Sequence, residues 1–235
     1  MIIGSGFIAN SFMDLYQNDA SINIFASGTS NSSNTNPHDF NREYHLIEKI
    51  LKEILNDDFA NSKLVYFSTC SALNQNISEI TPYIQHKIDM EKLISTHPNF
   101  LILRLPNISG RSLNQNTLLN FLCSKIKRQE IFDLWLDAYR NIIDIDDVVK
   151  LSKKVIESNS FENTSINIAN PNNYQITKIV NEMETVIGKS AIYKEIKKGS
   201  NYEIDIKPIE SLITSLKIDF GPDYLASTLL KYYKT

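Results

Sequence analysis

The chain has 235 residues, of which 42% are hydrophobic and 22% are charged, and its formal net charge is −3. These values are typical of a globular protein with one domain and a lobe, or with two small domains. The charge provides no basic field, so we expect no nucleic-acid partner and no membrane partner. The sequence has no apolar run of ~18 residues and no signal-peptide pattern, so we expect a cytoplasmic protein.

The first half of the chain alternates predicted strands and helices. It opens with MIIGSGFIA, a G-x-G-x-x-A loop between a very short strand and a helix over 7–18. Further strands and helices are predicted from apolar periodicity over 22–26, 39–56, 63–68, 81–95 and 100–105. This alternation predicts a Rossmann-like parallel sheet with helices on both faces.

The second half has a mixed pattern. Strands and helices are predicted over 115–127, 141–145, 146–157, 165–169, 175–187, 191–196 and 222–232. We expect 1–110 to form the dinucleotide-binding core and 111–235 a small substrate lobe, with 141–169 contributing to the main sheet. Asp146 and Asp147 are predicted to cap the helix that they begin. Trp135 is predicted to lie in the core of the lobe, and Gly188 to end a helix.

The opening loop has the chemistry of a phosphate site. Its glycines, Gly4 and Gly6, let the backbone approach a pyrophosphate, and the following helix N-terminus provides N–H donors. A tight strand-to-helix turn would also need small residues, so this motif alone leaves both interpretations open. The acidic residue expected about 20 positions later, which would bind the adenosine ribose, is missing. That distance falls on Ile24, and no acidic residue lies between Phe25 and His38.

A second candidate site lies in FSTCSALNQNISEITPYIQHK, residues 67–87. Tyr83 and Lys87 are four residues apart on a predicted helix and therefore share a face. A nearby ammonium is expected to lower the pKa of the Tyr83 phenol from its usual value of about 10. The phenol could then act as a general acid or base, with the Thr69 hydroxyl holding a substrate oxygen.

Other residues near this segment are predicted to have structural roles. The Y-x-x-x-K spacing recurs at Tyr174/Lys178 and Tyr193/Lys197, where a solvated helix or strand face is expected. His86 is predicted to lie on the surface. The two cysteines, Cys70 and Cys123, have no metal-ligand spacing, so we expect no metal site.

Taken together, these segments resemble the short-chain dehydrogenase/reductase superfamily, in its extended, NAD-dependent nucleotide-sugar epimerase/dehydratase branch. The segments that carry the resemblance are GSGFIA, FASGTS, FST, YIQHK, LRLPNISG, RNIIDIDDVV and INIANPNNYQITKIV. They follow the family's order along nearly the whole chain. The resemblance implies an NAD(P)-dependent reductase or epimerase that acts on a nucleotide-linked sugar.

The resemblance also implies roles for individual residues. Thr69, Tyr83 and Lys87 would be the catalytic residues, although Ser68 or Cys70 could take the Thr69 role. The residues implied in binding NAD or NADP are Gly4, Gly6, Phe7, Ile8, Ala26, Ser27, Ser68, Lys87 and Pro106. Substrate would be bound by Thr69, Asn107 and Arg140, the last through the nucleotide diphosphate. The family often dimerises, which implies a homodimer through the helices over 39–56 and 81–95.

The chain also departs from the family pattern. Relatives have two more strands between the phosphate loop and the strand over 22–26, so a deletion is predicted there. It would place that strand beside the first one and remove a wall of the adenosine site. A non-catalytic relative, binding a nucleotide sugar or a dinucleotide as a sensor or partner subunit, is therefore the alternative hypothesis.

Overall fold

The structure of the protein is a computed structural model, which describes residues 1–56, 62–73 and 80–234. Its strands are β1 (Ile2–Ile3), β2 (Ile22–Phe25), β3 (Lys63–Thr69), β4 (Phe100–Leu105), β5 (Asn107–Ser109), β6 (Phe132–Trp135), β7 (Tyr139–Asp144), β8 (Thr164–Asn167), β9 (Asn173–Gln175) and β10 (Tyr193–Ile196). Its helices are α1 (Phe7–Tyr16), α2 (Pro37–Asn56), α3 (Pro82–Ile94), α4 (Leu118–Arg128), α5 (Ile145–Ile156), α6 (Ile176–Ile187), α7 (Glu210–Ser215) and α8 (Tyr224–Tyr233). In the described part of the chain, no helix combines the length and apolar character needed to cross a bilayer.

The chain divides into two compact units. The first unit contains Met1–Leu105 and Val149–Ile168, and the second contains Pro106–Val148 and Ala169–Thr235. The sequence predicted a boundary near residue 110, with 141–169 contributing to the main sheet. Within that segment only β8 joins the main sheet, because β7 pairs with strands of the second unit instead.

The first unit is built on a five-stranded parallel sheet. Its strand order is β1-β2-β3-β4-β8, and every neighbouring pair is parallel. All four residues of β2 are buried, as expected for a strand covered on both faces. The predicted Rossmann-like α/β class is confirmed. The first strand pairs directly with β2 and lies at the edge of the described sheet.

Alternation along β3 sends its side chains to opposite faces of this sheet. Tyr66 belongs to a buried cluster with Ile47 of α2 and Met90 of α3. Its neighbour Phe67 packs against Phe12 of α1, with ring centroids 5.1 Å apart. Helices therefore cover both faces, and the face with α2 and α3 carries the polar groups considered below.

The second unit has two small sheets and a helical core. Strands β5, β7 and β9 form one sheet, with β7 parallel to β5 and antiparallel to β9. Strands β6 and β10 form a parallel pair. The buried residues come largely from α4, α6 and α8. Helix α6 ends at Gly188, whose φ of +74° is left-handed, as predicted.

Two local predictions in the second unit are wrong. Trp135 is 38% exposed and packs under the Lys198 ammonium. Side chains alternate along β6, and the residues that point into the core are Phe132 and Leu134 rather than Trp135. Asp144 is the residue that caps α5, since its Oδ1 accepts the N–H of Asp146 at 2.9 Å. The helix begins one residue earlier than predicted, so Asp146 already lies in its first turn.

Phe12 and Leu15 provide a matched test of the packing of α1. Phe12 is fully buried, whereas Leu15 on the same helix is 37% exposed. Phe12→Ala should lower the free energy of unfolding by about 3–5 kcal/mol, because it leaves a cavity against Phe67. Leu15→Ala should lower it by less than about 1 kcal/mol. Urea denaturation measures both, and equal effects would contradict the placement of α1.

Candidate active site

The phosphate loop ends in an open helix N-terminus. Gly6 is the N-cap residue of α1, and α1 has neither a side-chain cap nor an acidic residue in its first turn. A Cβ added to Gly6 would meet no atom within 4 Å, so the space above this turn is free. Phe7 and Ile8, half-buried, follow in the first turn. Free N–H donors at a helix N-terminus fit the pyrophosphate of a dinucleotide.

Gly4 has a different reason to be glycine. Its φ is +138°, and a Cβ there would lie 2.5 Å from the carbonyl oxygen of Ala26. The backbones meet at this point because the Ala26 N–H donates to the carbonyl oxygen of Ile3 at 2.8 Å. The structure therefore brings the predicted residues Gly4 and Ala26 together. The carbonyl oxygen of the next residue, Ser27, accepts a bond from Arg42 of α2 at 3.4 Å.

Thr69 and Tyr83 meet at the carboxyl end of β3. Thr81 caps α3 by accepting the N–H of Ile84 at 3.2 Å, which places Tyr83 in the first turn. The Thr69 hydroxyl lies close enough to the Tyr83 hydroxyl to favour its ionised form. Tyr83 is only 8% exposed.

The pKa of Tyr83 moves in the opposite direction to the one predicted. Burial raises the pKa of this phenol well above its usual value, and the Glu43 carboxylate raises it further. The nearby Thr69 hydroxyl lowers the pKa, but the first two effects outweigh it. The prediction that Lys87 lowers the pKa of Tyr83 is therefore wrong for this structure.

Lys87 lies beside Tyr83 but is bound to other groups. Its Nζ is 6.0 Å from the centre of the Tyr83 ring. The same ammonium donates to Glu43 Oε1 at 2.9 Å and to the Tyr66 hydroxyl at 2.8 Å. Tyr66 in turn donates to Glu43 Oε1 at 2.8 Å. The three predicted catalytic residues are thus close together, but the ammonium already has a carboxylate partner.

Glu43 is the residue that the sequence analysis missed. It is fully buried on α2, and its Oε2 accepts bonds from the Thr29 N–H at 2.7 Å and from His86 Nε2 at 2.9 Å. Burial alone would raise the pKa of this carboxyl, but the Lys87 charge and these hydrogen bonds hold it well below its usual range. One signal could have found it: Glu43 lies four residues before Ile47, on the apolar stripe of α2.

His86 corrects another prediction. It is 8% exposed rather than on the surface, and its ring stacks on Phe40 with centroids 4.6 Å apart. Its bond to Glu43 explains the burial, because a buried polar ring needs a partner. Beside it, the Thr29 hydroxyl is buried and has no hydrogen-bond partner within the described residues. A buried hydroxyl that has no partner fits an additional ligand hydroxyl, such as that of a ribose.

Ser68 and Cys70 are both engaged elsewhere. The Ser68 hydroxyl, predicted to bind cofactor, donates to Glu91 Oε1 at 2.5 Å. Glu91 also holds the Arg104 guanidinium through two bonds, of 2.9 and 2.5 Å. Cys70 is fully buried, and its burial raises the pKa of the thiol. Of the three residues considered for contact with Tyr83, these contacts favour Thr69.

The remaining predicted residues belong to the second unit. Pro106 precedes β5, where the Asn107 side chain donates to the carbonyl oxygen of Asn141 at 3.2 Å. Arg140 lies half-buried on β7 and donates to the carbonyl oxygen of Tyr139 at 2.7 Å. Tyr174 is buried rather than solvated, with its hydroxyl accepting a bond from Asn170 at 2.9 Å, so that prediction is wrong.

The first unit has a glycine loop with an open helix end, and a pair of hydroxyls, on a parallel α/β sheet. These features define a dinucleotide-binding protein of the Rossmann-like class. Residues 7–169, more than half of the chain, match the family model described as the NAD dependent epimerase/dehydratase family. The chain belongs to this family. The resemblance seen in the sequence is therefore confirmed. Two further predictions are confirmed with it: an enzyme of the short-chain dehydrogenase/reductase type, and a nicotinamide dinucleotide as its cofactor.

Solved structures share the fold at low sequence identity. A point mutant of UDP-glucuronic acid 4-epimerase from Bacillus cereus, with NAD and a fluorinated UDP-sugar, is 18% identical, with a TM-score of 0.70 over 92% of this chain and 77% of that one. RMD from Pseudomonas aeruginosa with NADPH is 13% identical, with a TM-score of 0.69 over 97% and 98%. UDP-glucose 4-epimerase from Thermotoga maritima is 17% identical, with a TM-score of 0.66 over 89% and 78%. No curated protein sequence matches the chain.

The two loop glycines allow a direct test of the phosphate site. Gly4→Ala should destabilise the fold by at least about 1–3 kcal/mol, because its φ and the Ala26 carbonyl both exclude a side chain. Gly6→Ala should cost less than about 1 kcal/mol in stability. It should nevertheless weaken dinucleotide binding by roughly tenfold or more, because the methyl group occupies the open space.

Urea denaturation and calorimetric titration with NAD and NADPH measure these two effects separately. Unchanged dinucleotide affinity in Gly6→Ala would show that the open helix end is not the phosphate site. A Gly4→Ala chain as stable as the wild type would contradict the close approach of β1 and β2.

Proposed function

We propose that the chain is an NAD(P)-dependent reductase or epimerase acting on a nucleotide-linked sugar, with Tyr83 as the acid/base. The observation that carries this proposal is the proximity of the Thr69 and Tyr83 hydroxyls at the end of β3. It is supported by structural neighbours crystallised with UDP-glucuronic acid or UDP-glucose and NAD, and by one crystallised with NADPH.

Two neighbouring hydroxyls suit proton transfer at a single substrate oxygen. Tyr83 gives a proton to that oxygen or takes one from it, and Thr69 holds the oxygen in place. The dinucleotide, when bound, supplies or accepts a hydride. Burial of Tyr83 keeps bulk water away from the phenol, so its proton passes to the substrate rather than to solvent.

The residues proposed to hold the dinucleotide lie at two places in the first unit. The loop with Gly4 and Gly6 would bind the pyrophosphate through backbone N–H groups. Lys87 and the unpaired Thr29 hydroxyl would face the ribose of the nicotinamide. An ammonium has three N–H groups, and the bonds to Glu43 and Tyr66 leave one of them for this contact.

Residues of the second unit complete the proposal. Pro106 would contact the nicotinamide through its backbone, and Asn107 would contact the sugar. Arg140 would bind the nucleotide diphosphate, because a guanidinium fork matches two phosphate oxygens.

Tyr83→Phe tests the proposed acid/base. It removes only the hydroxyl, so we expect turnover to fall by about 10²–10⁴-fold while the fold is retained. Tyr44→Phe is the matched control, since Tyr44 is 41% exposed on α2. The assay follows nicotinamide absorbance with NADPH and UDP-linked 4-keto sugars. Wild-type turnover in Tyr83→Phe would contradict the proposal.

Calorimetric titration distinguishes the proposed enzyme from the alternative hypothesis, a non-catalytic relative. Binding of UDP- or GDP-linked sugars without binding of NAD or NADP would favour a sugar-nucleotide sensor or partner subunit. Membership of an NAD-dependent enzyme family supports the catalytic proposal instead.

We also propose a homodimer through α2 and α3, which pack side by side in the first unit. The outer surface of α2 exposes Tyr44 beside Lys49 and Lys52, which pair with Glu53 and Glu48. Such a surface would give an interface with one aromatic contact and a charged rim.

Light scattering at micromolar concentration should therefore give twice the chain mass of 26.9 kDa. Tyr44→Lys should shift the mass toward that of a monomer, because it adds a charge at the centre of the proposed interface. Leu230→Lys on α8, where Leu230 is 48% exposed, should leave the mass unchanged. A monomeric wild type would refute the dimer.

A further inference from the structure

We infer that residues 27–36, between β2 and α2, form a lid that is closed over the Lys87 ammonium in this structure. A dinucleotide can contact this ammonium only after the lid opens. Under the proposed function, on which this inference rests, opening of the lid controls access to the residues that would face the ribose.

The lid covers Lys87 with the backbone of Gly28. A Cβ added to Gly28 would lie 2.7 Å from both Lys87 Nζ and Glu43 Oε1, so this glycine packs directly on the two charged atoms. Lys87 is only 3% exposed, and Glu43 is fully buried. A ribose hydroxyl has to come within about 3 Å of Nζ to accept a hydrogen bond from it. With the lid closed, there is no room for a ribose at that distance.

The charged side chains under the lid are fixed in place. Lys87 Nζ donates to Glu43 Oε1 at 2.9 Å and to the Tyr66 hydroxyl at 2.8 Å. The other carboxylate oxygen of Glu43 lies 2.9 Å from His86 Nε2. Moving either side chain away would leave a buried charge without its partner, which is strongly unfavourable. Access to Lys87 therefore requires movement of the lid rather than of the pair beneath it.

The composition of the lid makes opening inexpensive. Its sequence, SGTSNSSNTN, contains no hydrophobic residue, so opening exposes no apolar side chain to water. Its outer part is held together by its own asparagines. Asn31 Oδ1 accepts the N–H of Ser33 at 3.0 Å, and Asn34 Oδ1 accepts the N–H of Asn36 at 2.7 Å. The lid can therefore move without losing these internal bonds.

The contacts that hold the lid closed lie near its start. The Thr29 N–H donates to Glu43 Oε2 at 2.7 Å, and the Ser27 carbonyl oxygen accepts a bond from Arg42 at 3.4 Å. Ala26, just before the lid, is fixed to β1 by its N–H bond. The bond to the Glu43 carboxylate is the shorter of the two lid contacts, and it has a charged acceptor. Glu43 is thus the latch of the lid.

The closed lid also carries an unsatisfied group. The Thr29 hydroxyl is buried and has no hydrogen-bond partner within the described residues. This hydroxyl disfavours the closed form, because it could bond to water or to a ligand when the lid is open. A ribose that accepts a bond from Lys87 and meets the Thr29 hydroxyl would bind only the open form. Such a ligand shifts the population of the lid from closed to open.

Amine labelling of the chain without dinucleotide tests whether the lid is closed. The protein is treated with acetic anhydride at neutral pH, and acetylation of each lysine is followed by peptide mass spectrometry. Lys87 should react at least about tenfold more slowly than Lys52, because the lid has to open before the reagent reaches it. The side chain of Lys52, on α2, is 70% exposed. A Lys87 that reacts as fast as Lys52 would overturn the inference.

Gly28→Ala should open the lid, because the added methyl group has no space above the ion pair. Acetylation of Lys87 should then become about tenfold faster or more. Lys63 reports on the rest of the fold, since it is 9% exposed and donates to the Ile156 carbonyl oxygen at 2.7 Å, and its slow reaction should not change. Gly6→Ala is the matched control, because a Cβ there meets no atom within 4 Å, and it should leave Lys87 slow. Slow acetylation of Lys87 in Gly28→Ala would contradict the lid.

Binding kinetics give a second readout that needs only the wild-type chain. In stopped-flow mixing with NADH or NADPH, followed by nicotinamide fluorescence, the observed rate should level off as the dinucleotide concentration rises. Opening of the lid then limits the rate. A rate that stays proportional to concentration would overturn the inference. Slow acetylation of Lys87 without calorimetric binding of either dinucleotide would contradict the proposed function instead, so the two failures are distinguishable.

Discussion

The buried ion pair between Glu43 and Lys87 is the constraint on which the site depends. A carboxylate in the interior must be paired and hydrogen-bonded, and losing one member of such a pair costs about 3–5 kcal/mol. The four bonds to Glu43 join α2, α3, β3 and the loop after β2 at one point. The position of Lys87 is therefore set by the packing of the first unit.

This arrangement places two requirements on the same few residues. The pair has to be sealed from water, which is why Gly28 lies where any side chain would touch both charged atoms. Under the proposed function, the phenol beside it also has to be reached by a substrate oxygen, near the Thr69 hydroxyl at the end of β3. The two glycines of the opening loop also have different roles. Gly4 allows the close approach of β1 and β2, and Gly6 leaves the N-terminus of α1 open.

Much of the fold was accessible from sequence because its signals are local. Strands β2, β3 and β4 and helices α1 to α3 follow from apolar periodicity, and their observed bounds lie within two residues of those predicted. Strands β5, β6 and β9, each of three or four residues, were missed. His86 was misplaced because its burial depends on Glu43, which is 43 residues away in the chain.

Sequence patterns alone were enough to predict the order of strands and helices, the glycine loop, and the grouping of Thr69, Tyr83 and Lys87 near one strand end. These features depend on residues that are close together along the chain, or on the edge of the sheet at which the carboxyl ends of parallel strands meet. Only the tertiary structure decided that the Lys87 ammonium has a carboxylate partner, because that contact spans 44 residues and needs α2 to pack against α3. A charge balance of this kind is a property of packing, and no local pattern encodes it.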